Sequence, residues 1–476
     1  MDYQTAIHYI ESFTDYEKAP GIAYTAANYD LRRMEQLLER LGNPHLGAHT
    51  VHVAGTKGKG STAALISSAL VASGLKTALF TSPHLHTMRE RIVVDGEMIT
   101  PEDFAALMTS LQPEVEAVHR QSSFGGLTTF EILTALAFAY FARRRVQFLV
   151  VEAGLGGRLD ATNVVKPEVC VITSISLDHT EVLGHSLAKI ATEKAGIIKA
   201  AAAVVCSPQR DEVLEVIGRI CVEKGTRLIS VGKDVRWRCL DVTEMGQSFE
   251  VEGNLDRCVL RIPLLGEYQL ENAAAAVAAL EELIARGAAV SRQGIALGFE
   301  RVRWPGRLEV VGRSPAIVVD GAHNRYSAMK LMEAISQYFT FHRLILVLGT
   351  SSDKDISGIV DELVPFADEV IITRSRHPRS ASIAAILSEF NSRTKEVRVA
   401  DDVPSAMAAA LSAAKPTDLI LATGSLFLVA EAIECLRGVK PEAFTGPERM
   451  LAVSARETTA IDTKGKHATK RCLRGT

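Results

Sequence analysis

The chain has 476 residues, 47% of them hydrophobic and 23% charged. Enough apolar surface is available to offset chain entropy, which excludes a disordered chain, and the length predicts two to four domains. With 53 Lys and Arg against 56 Asp and Glu, the net charge is −3, so no global field draws the chain to nucleic acid or anionic lipid.

The first 15 residues carry acidic groups and no apolar stretch, unlike a signal peptide. Residues 49–54 predict a strand, followed by a glycine-rich turn and a helix over 61–73. A short strand follows at 77–81, then helices over 104–119 and 130–143. The nearly continuous apolar runs 148–151 and 169–175 predict buried parallel strands. A helix over 187–198, a strand over 204–206 and a helix over 213–223 continue the alternation of an α/β fold. Short alternating stretches at 249–251 and 258–262 indicate a small antiparallel region, and an Ala-rich helix follows over 270–286. The segment RVRWPGR (301–307) breaks the pattern with Trp304, Pro305 and Gly306. A second α/β series has strands at 316–320, 344–348, 370–373 and 419–422, as in a Rossmann-like sheet.

The expected organisation is an N-terminal P-loop-like mononucleotide-binding domain over 1–300, with a mostly parallel sheet. A linker over 301–307 leads to a C-terminal Rossmann-like α/β domain over 308–438. From 438 the periodicity fades into an expected flexible tail, 439–476, with eight Lys/Arg and four Asp/Glu. The longest apolar runs, 135–142 and 273–280, are too short to span a bilayer. Seven cysteines without CxxC spacing suggest neither a disulfide framework nor a zinc knuckle. Most are expected as buried small hydrophobes in a reducing, cytoplasmic setting.

Between the first strand and helix lies Gly55-Thr56-Lys57-Gly58-Lys59-Gly60-Ser61. Glycines let backbone N–H groups turn onto an anion, and the helix N-terminus adds its dipole. Lys59 supplies a point charge for the β/γ-phosphates and Ser61 a hydroxyl near Mg²⁺. The strict GxxxxGK[ST] pattern is not met, since Gly60 follows Lys59 and Val53 stands five before Gly58. Glu152 ends one buried strand, before a glycine-rich turn. Asp178-His179 follow the next strand, and Ser82 follows another. Carboxyl ends of strands are where open α/β sheets bind ligands. Oxygen donors plus one imidazole suit a hard or borderline divalent cation shared with the phosphates, most simply Mg²⁺. Lys194 reads, from the residues alone, as a surface lysine.

Together these pieces resemble folylpolyglutamate synthases, relatives of the Mur peptidoglycan ligases. The resemblance rests on VAGTKGKGS (53–61), FTSPHL (80–85), RERI (89–92), LTTFE (127–131), EAGLGGRLDATN (152–163) and LDHTEVLG (177–184). EKAGIIK (193–199), NAAAA (272–276), PGRLE (305–309), DGAHN (320–324) and TGSLFLVAEA (423–432) complete it. It implies an ATP-dependent ligase that joins L-glutamate to folate polyglutamates. GGRLDATN resembles the version in members that also act on dihydropteroate. By resemblance, ATP is held by Gly58, Lys59, Gly60 and Ser61, and by Asn272, Arg307, Asp320, Gly321, Ala322 and His323. Ser82, Glu152 and His179 are the implied Mg²⁺ ligands. Lys194 sits where the family carries a carbamylated lysine that holds a second Mg²⁺, so Lys59, Lys194 and His179 are the implied catalytic residues. The pteroate contacts are implied at Leu31, Arg32, Arg33 and Met34, at Thr128, Thr129, Phe130 and Glu131, and at Leu159, Asp160 and Ala161. The implied partners are ATP, L-glutamate and pteroate or reduced folates, bound by a monomer.

Two residues depart from the family pattern. Lys57 stands in place of the usual Asn, which is expected to add a cation beside the phosphates. Arg325 replaces the usual Pro after DGAHN and is expected to loosen that turn. A Mur-type ligase acting on a UDP-sugar precursor is the nearest rival; only 54 residues precede Gly55, too few for its extra UDP-binding domain. A P-loop switch without ligase chemistry is the rival from another class, and it leaves Asn272, Arg307 and Asp320 without a role.

Overall fold

The computed structural model describes residues 1–17, 28–121, 123–390 and 397–442. The first sheet has eight strands: β1 (His49–Ala54), β2 (Thr77–Phe80), β3 (Ile92–Val94), β4 (Glu97–Met98), β5 (Phe148–Glu152), β6 (Val169–Ile172), β7 (Ala203–Cys206) and β8 (Leu228–Ser230). Their order is β4-β3-β2-β5-β1-β6-β7-β8. Pairing is parallel from β2 to β8, while β2–β3 and β3–β4 are antiparallel. β1 lies between β5 and β6, so the chain leaves it towards opposite sides of the sheet. That is a topological switch point, where a crevice opens at the strands' carboxyl ends.

Both faces of this sheet are covered, which explains why its strands read as unbroken apolar runs. Val51 and Val53 face a core shared with helices Lys59–Ala72 and Glu267–Ala285. Phe80, Leu149 and Val151 face the opposite side, against helices Pro101–Gln121 and Thr129–Arg144. Helix Glu267–Ala285 has an unbroken buried stretch from Asn272 to Leu283. Its alanines let neighbours approach from all sides, as expected of a helix buried all round.

A three-stranded antiparallel sheet follows, β9 (Arg236–Thr243), β10 (Gly246–Glu252) and β11 (Arg257–Ile262), with β10 central. Phe249, Val251, Leu260 and Ile262 join the first core. The last sheet contains β12 (Glu309–Arg313), β13 (Ala316–Asp320), β14 (Leu344–Leu348), β15 (Glu369–Ile372), β16 (Val397–Val399) and β17 (Leu419–Thr423), in the order β12-β13-β17-β14-β15-β16. Only β12 pairs antiparallel.

The predicted strands at 169–175 and 370–373 end earlier, at Ile172 and Ile372, because the next residues turn into loops at the carboxyl edge. Of the cysteines, 170, 206 and 221 are buried, while Cys239 and Cys435 are exposed. The expectation that most are buried fails at those two, which lie on an outward strand and an outward helix face. Cys472, and the expected tail beyond residue 442, lie outside the described residues. No helix among the described residues is long and apolar enough to cross a membrane.

Candidate active site

The glycine-rich turn leaves β1 and is stitched to the segment after β6. The Thr56 and Lys57 N–H groups both donate to Ser174 O, at 2.9 and 3.2 Å. Gly55 has φ +151° with Thr173 pressed against its Cα, so no side chain fits there. Gly58 has φ +89° and lies under the Asn272 amide, while the Trp304 ring packs on Gly60. Helix Glu267–Ala285 and the 301–307 segment thus close around the turn. Helix Lys59–Ala72 starts at its end with Ser61 buried, and presents free N–H groups to an anion.

Lys59 Nζ stands 3.9 Å from Glu152 Oε1. Glu152 Oε2 accepts the Ser82 N–H at 3.1 Å. Ser82, Lys59 and Glu152 therefore share one corner at the ends of β1, β2 and β5. Burial raises the Glu152 carboxyl above its usual range, and the Lys59 cation only partly opposes this. A carboxylate so placed can take a further cation. Lys194, expected at the surface, is 5% exposed. Its ammonium donates to Gly55 O at 2.7 Å, and burial, aided by Lys59, brings its pKa down to about 7. His179 follows β6 with φ +49°. Its side chain is 40% exposed, and an imidazole at neutral pH is mostly unprotonated, with a lone pair to offer. A carboxylate, a serine and a neutral imidazole suit a hard or borderline divalent cation. Among the described residues no three His, Cys, Asp or Glu side chains converge as a ready-made cage.

Asp178 gathers a second group. Its Oδ2 accepts from Lys57 Nζ at 2.9 Å and its Oδ1 from Lys354 Nζ at 3.0 Å. Asn324 Nδ2 approaches Oδ2 at 3.4 Å. These cations hold the Asp178 carboxyl well below its usual range against its burial. His323 Nε2 lies 2.7 Å from Lys57 Nζ, and its Nδ1 lies 2.8 Å from Gly321 O. Loops of the first and last sheets therefore meet at one carboxylate. Asp320 engages the Leu308 and Ala322 N–H groups, each at 2.8 Å. Gly321 N–H donates to Gly306 O at 3.1 Å, and Arg307 packs over Gly321.

On the other side of β5, Arg33 Nε donates to Glu131 Oε1 at 3.0 Å and its Nη2 to Asn28 O at 2.8 Å. Glu131 caps the start of its helix with Thr128. Thr129 Oγ1 donates to the Ile10 and Phe13 carbonyls. Asp160 Oδ2 accepts from Leu155 N–H at 2.8 Å, and Oδ1 from Thr162 N–H at 3.0 Å. Phe130 packs on Gly154 beside Asp160. Leu31, Phe130 and Leu159 stay partly exposed, and Arg32 is exposed with its guanidinium over the Phe124 ring.

Two family models match the chain: the Mur ligase middle domain over residues 53–280, and the Mur ligase glutamate ligase domain over 306–426. A dihydrofolate synthase/folylpolyglutamate synthase of Bacillus subtilis is 35% identical over 437 residues, covering 90% of this chain and 98% of the relative. The Escherichia coli protein of the same name is 35% identical over 408 residues, covering 85% and 91%. Folylpolyglutamate synthase of Mycobacterium tuberculosis, solved with ADP, superposes with a TM-score of 0.84 at 32% identity, covering 92% of this chain and 99% of that one. The chain belongs to the folylpolyglutamate synthase family.

Within this family member, the expectations for Met34 and Arg325 need correction. Met34 is 0% exposed inside the apolar core and has no surface to offer a ligand. The Lys57 ammonium is held by Asp178 and His323. Arg325 does not loosen its turn. The Asn324–Ser327 capping box is complete, and Arg325 Nε reaches Glu362 Oε1 at 2.8 Å. Lys354 and Trp304 went unnoticed in the sequence as site builders, and Asp178 was read only as the neighbour of His179. Asp178 precedes a proposed metal ligand, a signal that was available. Lys354 lies in a loop whose approach to Asp178 depends on how the two sheets pack, which no local pattern encodes.

Proposed function

We propose that this chain is an ATP-dependent acid–amino-acid ligase that adds L-glutamate to reduced folates and to dihydropteroate. The observation that carries the reading is the meeting of the Gly55–Ser61 turn, with Lys59 beside Glu152, and the last sheet's Asp320–Asn324 segment at one crevice. Family membership supports it, as do relatives named for both activities. A Mycobacterium tuberculosis relative binds ADP, and another relative has been solved with AMPPCP and folate. We assign residues 1–300 to the ATP- and folate-binding half, 301–307 to the linker and 308–438 to the second ligase half.

A carboxylate resists attack by an amine until one oxygen becomes a leaving group. The γ-phosphoryl of ATP is transferred to the pteroate or folate carboxylate, forming an acyl phosphate and ADP. The glutamate α-amine then attacks the acyl carbon, and phosphate leaves from the tetrahedral intermediate. N–H groups of Gly58–Ser61 hold the phosphates and Lys59 spreads the transferring charge. Asn272 and Arg307 bound the nucleotide from the linker side, and His323 from the last sheet. Leu31, Arg32, Phe130 and Leu159 offer the accessible surface for the pteroate. The closed crevice keeps water from the acyl phosphate. Ser82, Glu152 and His179 would hold Mg²⁺, which supplies charge neutralisation on the phosphates. Lys194 would join them once carbamylated, since a buried amine near its pKa of about 7 offers the neutral form that adds CO₂.

The test is ADP release dependent on both glutamate and a pteroate, run with dihydropteroate and with tetrahydrofolate. Product from both is expected; product from one narrows the reading, and product from neither overturns it. Oxygen-18 in the substrate carboxylate should appear in the released phosphate, and its absence would overturn the acyl-phosphate step.

A further inference from the structure

The Lys57 side chain is an oddity of placement. It springs from the phosphate turn, yet its ammonium is drawn across the crevice to Asp178 Oδ2 (2.9 Å) and His323 Nε2 (2.7 Å). The hydrogen-bond chemistry fixes the direction of each contact. Gly321 O can only accept, so His323 Nδ1, 2.8 Å away, carries the ring proton. His323 Nε2 is then a bare lone pair, and only a donor can face it. Asp178 Oδ2, an acceptor, also lies beside it at 3.5 Å. Without Lys57, two lone pairs oppose each other and the ring must change tautomer or turn away.

We propose that Lys57 is a positioning residue. Its ammonium holds the His323 ring in the Nδ1–H form, facing the crevice, and so couples the phosphate turn to the last sheet's nucleotide segment. This rests on the reading of His323 as a nucleotide contact. Lys57 acts through that ring and does not itself hold phosphate. The two halves remain joined without it, because Lys354 still reaches Asp178 at 3.0 Å. Loss of Lys57 therefore leaves the fold intact and misplaces one ring.

A double-mutant cycle on ADP affinity tests the coupling, with full-length wild type, Lys57→Met, His323→Asn and the double variant compared by calorimetry. Each single change is expected to weaken ADP by about tenfold, and the double variant no more than twofold beyond His323→Asn. Losses that multiply in the double variant would leave His323 in place and overturn the coupling. An unchanged affinity in His323→Asn alone would instead remove His323 from the nucleotide site, and the role of Lys57 with it. Imidazole nitrogen shifts give an independent readout in ¹⁵N-histidine protein. Nδ1 should be protonated in wild type and Nε2 in Lys57→Met; the same tautomer in both would overturn the proposal.

Discussion

Lys59 and Lys194 show how one residue type takes different duties from its surroundings. Lys59 is a compact cation at the mouth of a turn of N–H donors, beside Glu152. Its replacement by alanine removes the mobile charge that meets the transferring phosphoryl group. Lys59→Ala is expected to lower glutamate-dependent ADP release by roughly 100-fold or more, with the fold retained; near-normal turnover would detach the turn from catalysis. Lys194 is buried, with a pKa brought down to about 7, so its amine is substantially neutral at neutral pH. Stripping CO₂ from the buffer should lower activity and bicarbonate restore it, while Lys194→Arg should lose the response. Mass analysis of the intact protein checks the same point through the added CO₂. Glu152 ends β5, Ser82 follows β2 and Lys59 opens the helix after β1, places that the sequence pattern alone located. Met34 was implied by the resemblance alone, and the apolar face of helix Leu31–Arg40 turns it to the core with Leu37 and Leu38. It is fully buried there.

At the level of elements, long apolar strands were legible because a sheet covered on both faces leaves an unbroken hydrophobic signal. β3 and β4 were not, being three and two residues long. Their turn did leave a sign, Asp95-Gly96, with φ of +54° and +85°, the pairing that favours a tight hairpin. Helix Lys59–Ala72 reads as apolar on every side because it is enclosed by helix Arg292–Arg301, helix Glu267–Ala285 and the sheet. A methyl group on Gly60 would press into the Trp304 ring. Gly60→Ala is therefore expected to destabilise by about 1–3 kcal/mol and to shift Trp304 fluorescence, read cleanly in a Trp237→Phe background. Gly218, in helix Asp211–Lys224, meets nothing within 4 Å and has no positive φ. Gly218→Ala should instead stabilise by about 0.5–1 kcal/mol. Equal melting shifts in the two variants would contradict the close packing at Gly60.

Across the whole molecule, a cluster of charged groups reaches from the first half into the helix that follows β17, and one buried carboxyl in it gives stability a pH dependence. His86, from the loop before β3, lies 2.9 Å from Glu434 Oε1, whose other oxygen takes Arg376 Nη2 at 2.6 Å. Glu431, one helical turn earlier, accepts the Arg376 N–H at 2.7 Å. Burial, with Glu434 adding to it, pushes the Glu431 carboxyl from 4.5 up to about 7. Between those values the folded chain keeps a proton that the unfolded chain has released. The stability it contributes is therefore fully present below pH 4.5 and is lost as pH rises through 7. The span corresponds to an effect on the order of 3 kcal/mol. Glu431→Gln keeps an oxygen to accept the Arg376 N–H and has no proton to lose. Relative to wild type, its melting temperature should be close at pH 4.5 and higher by several degrees at pH 8. A constant difference between the two proteins from pH 4.5 to 8 would mean that Glu431 is already ionised in the fold, and that the His86–Glu434–Arg376 contacts sustain two buried carboxylates.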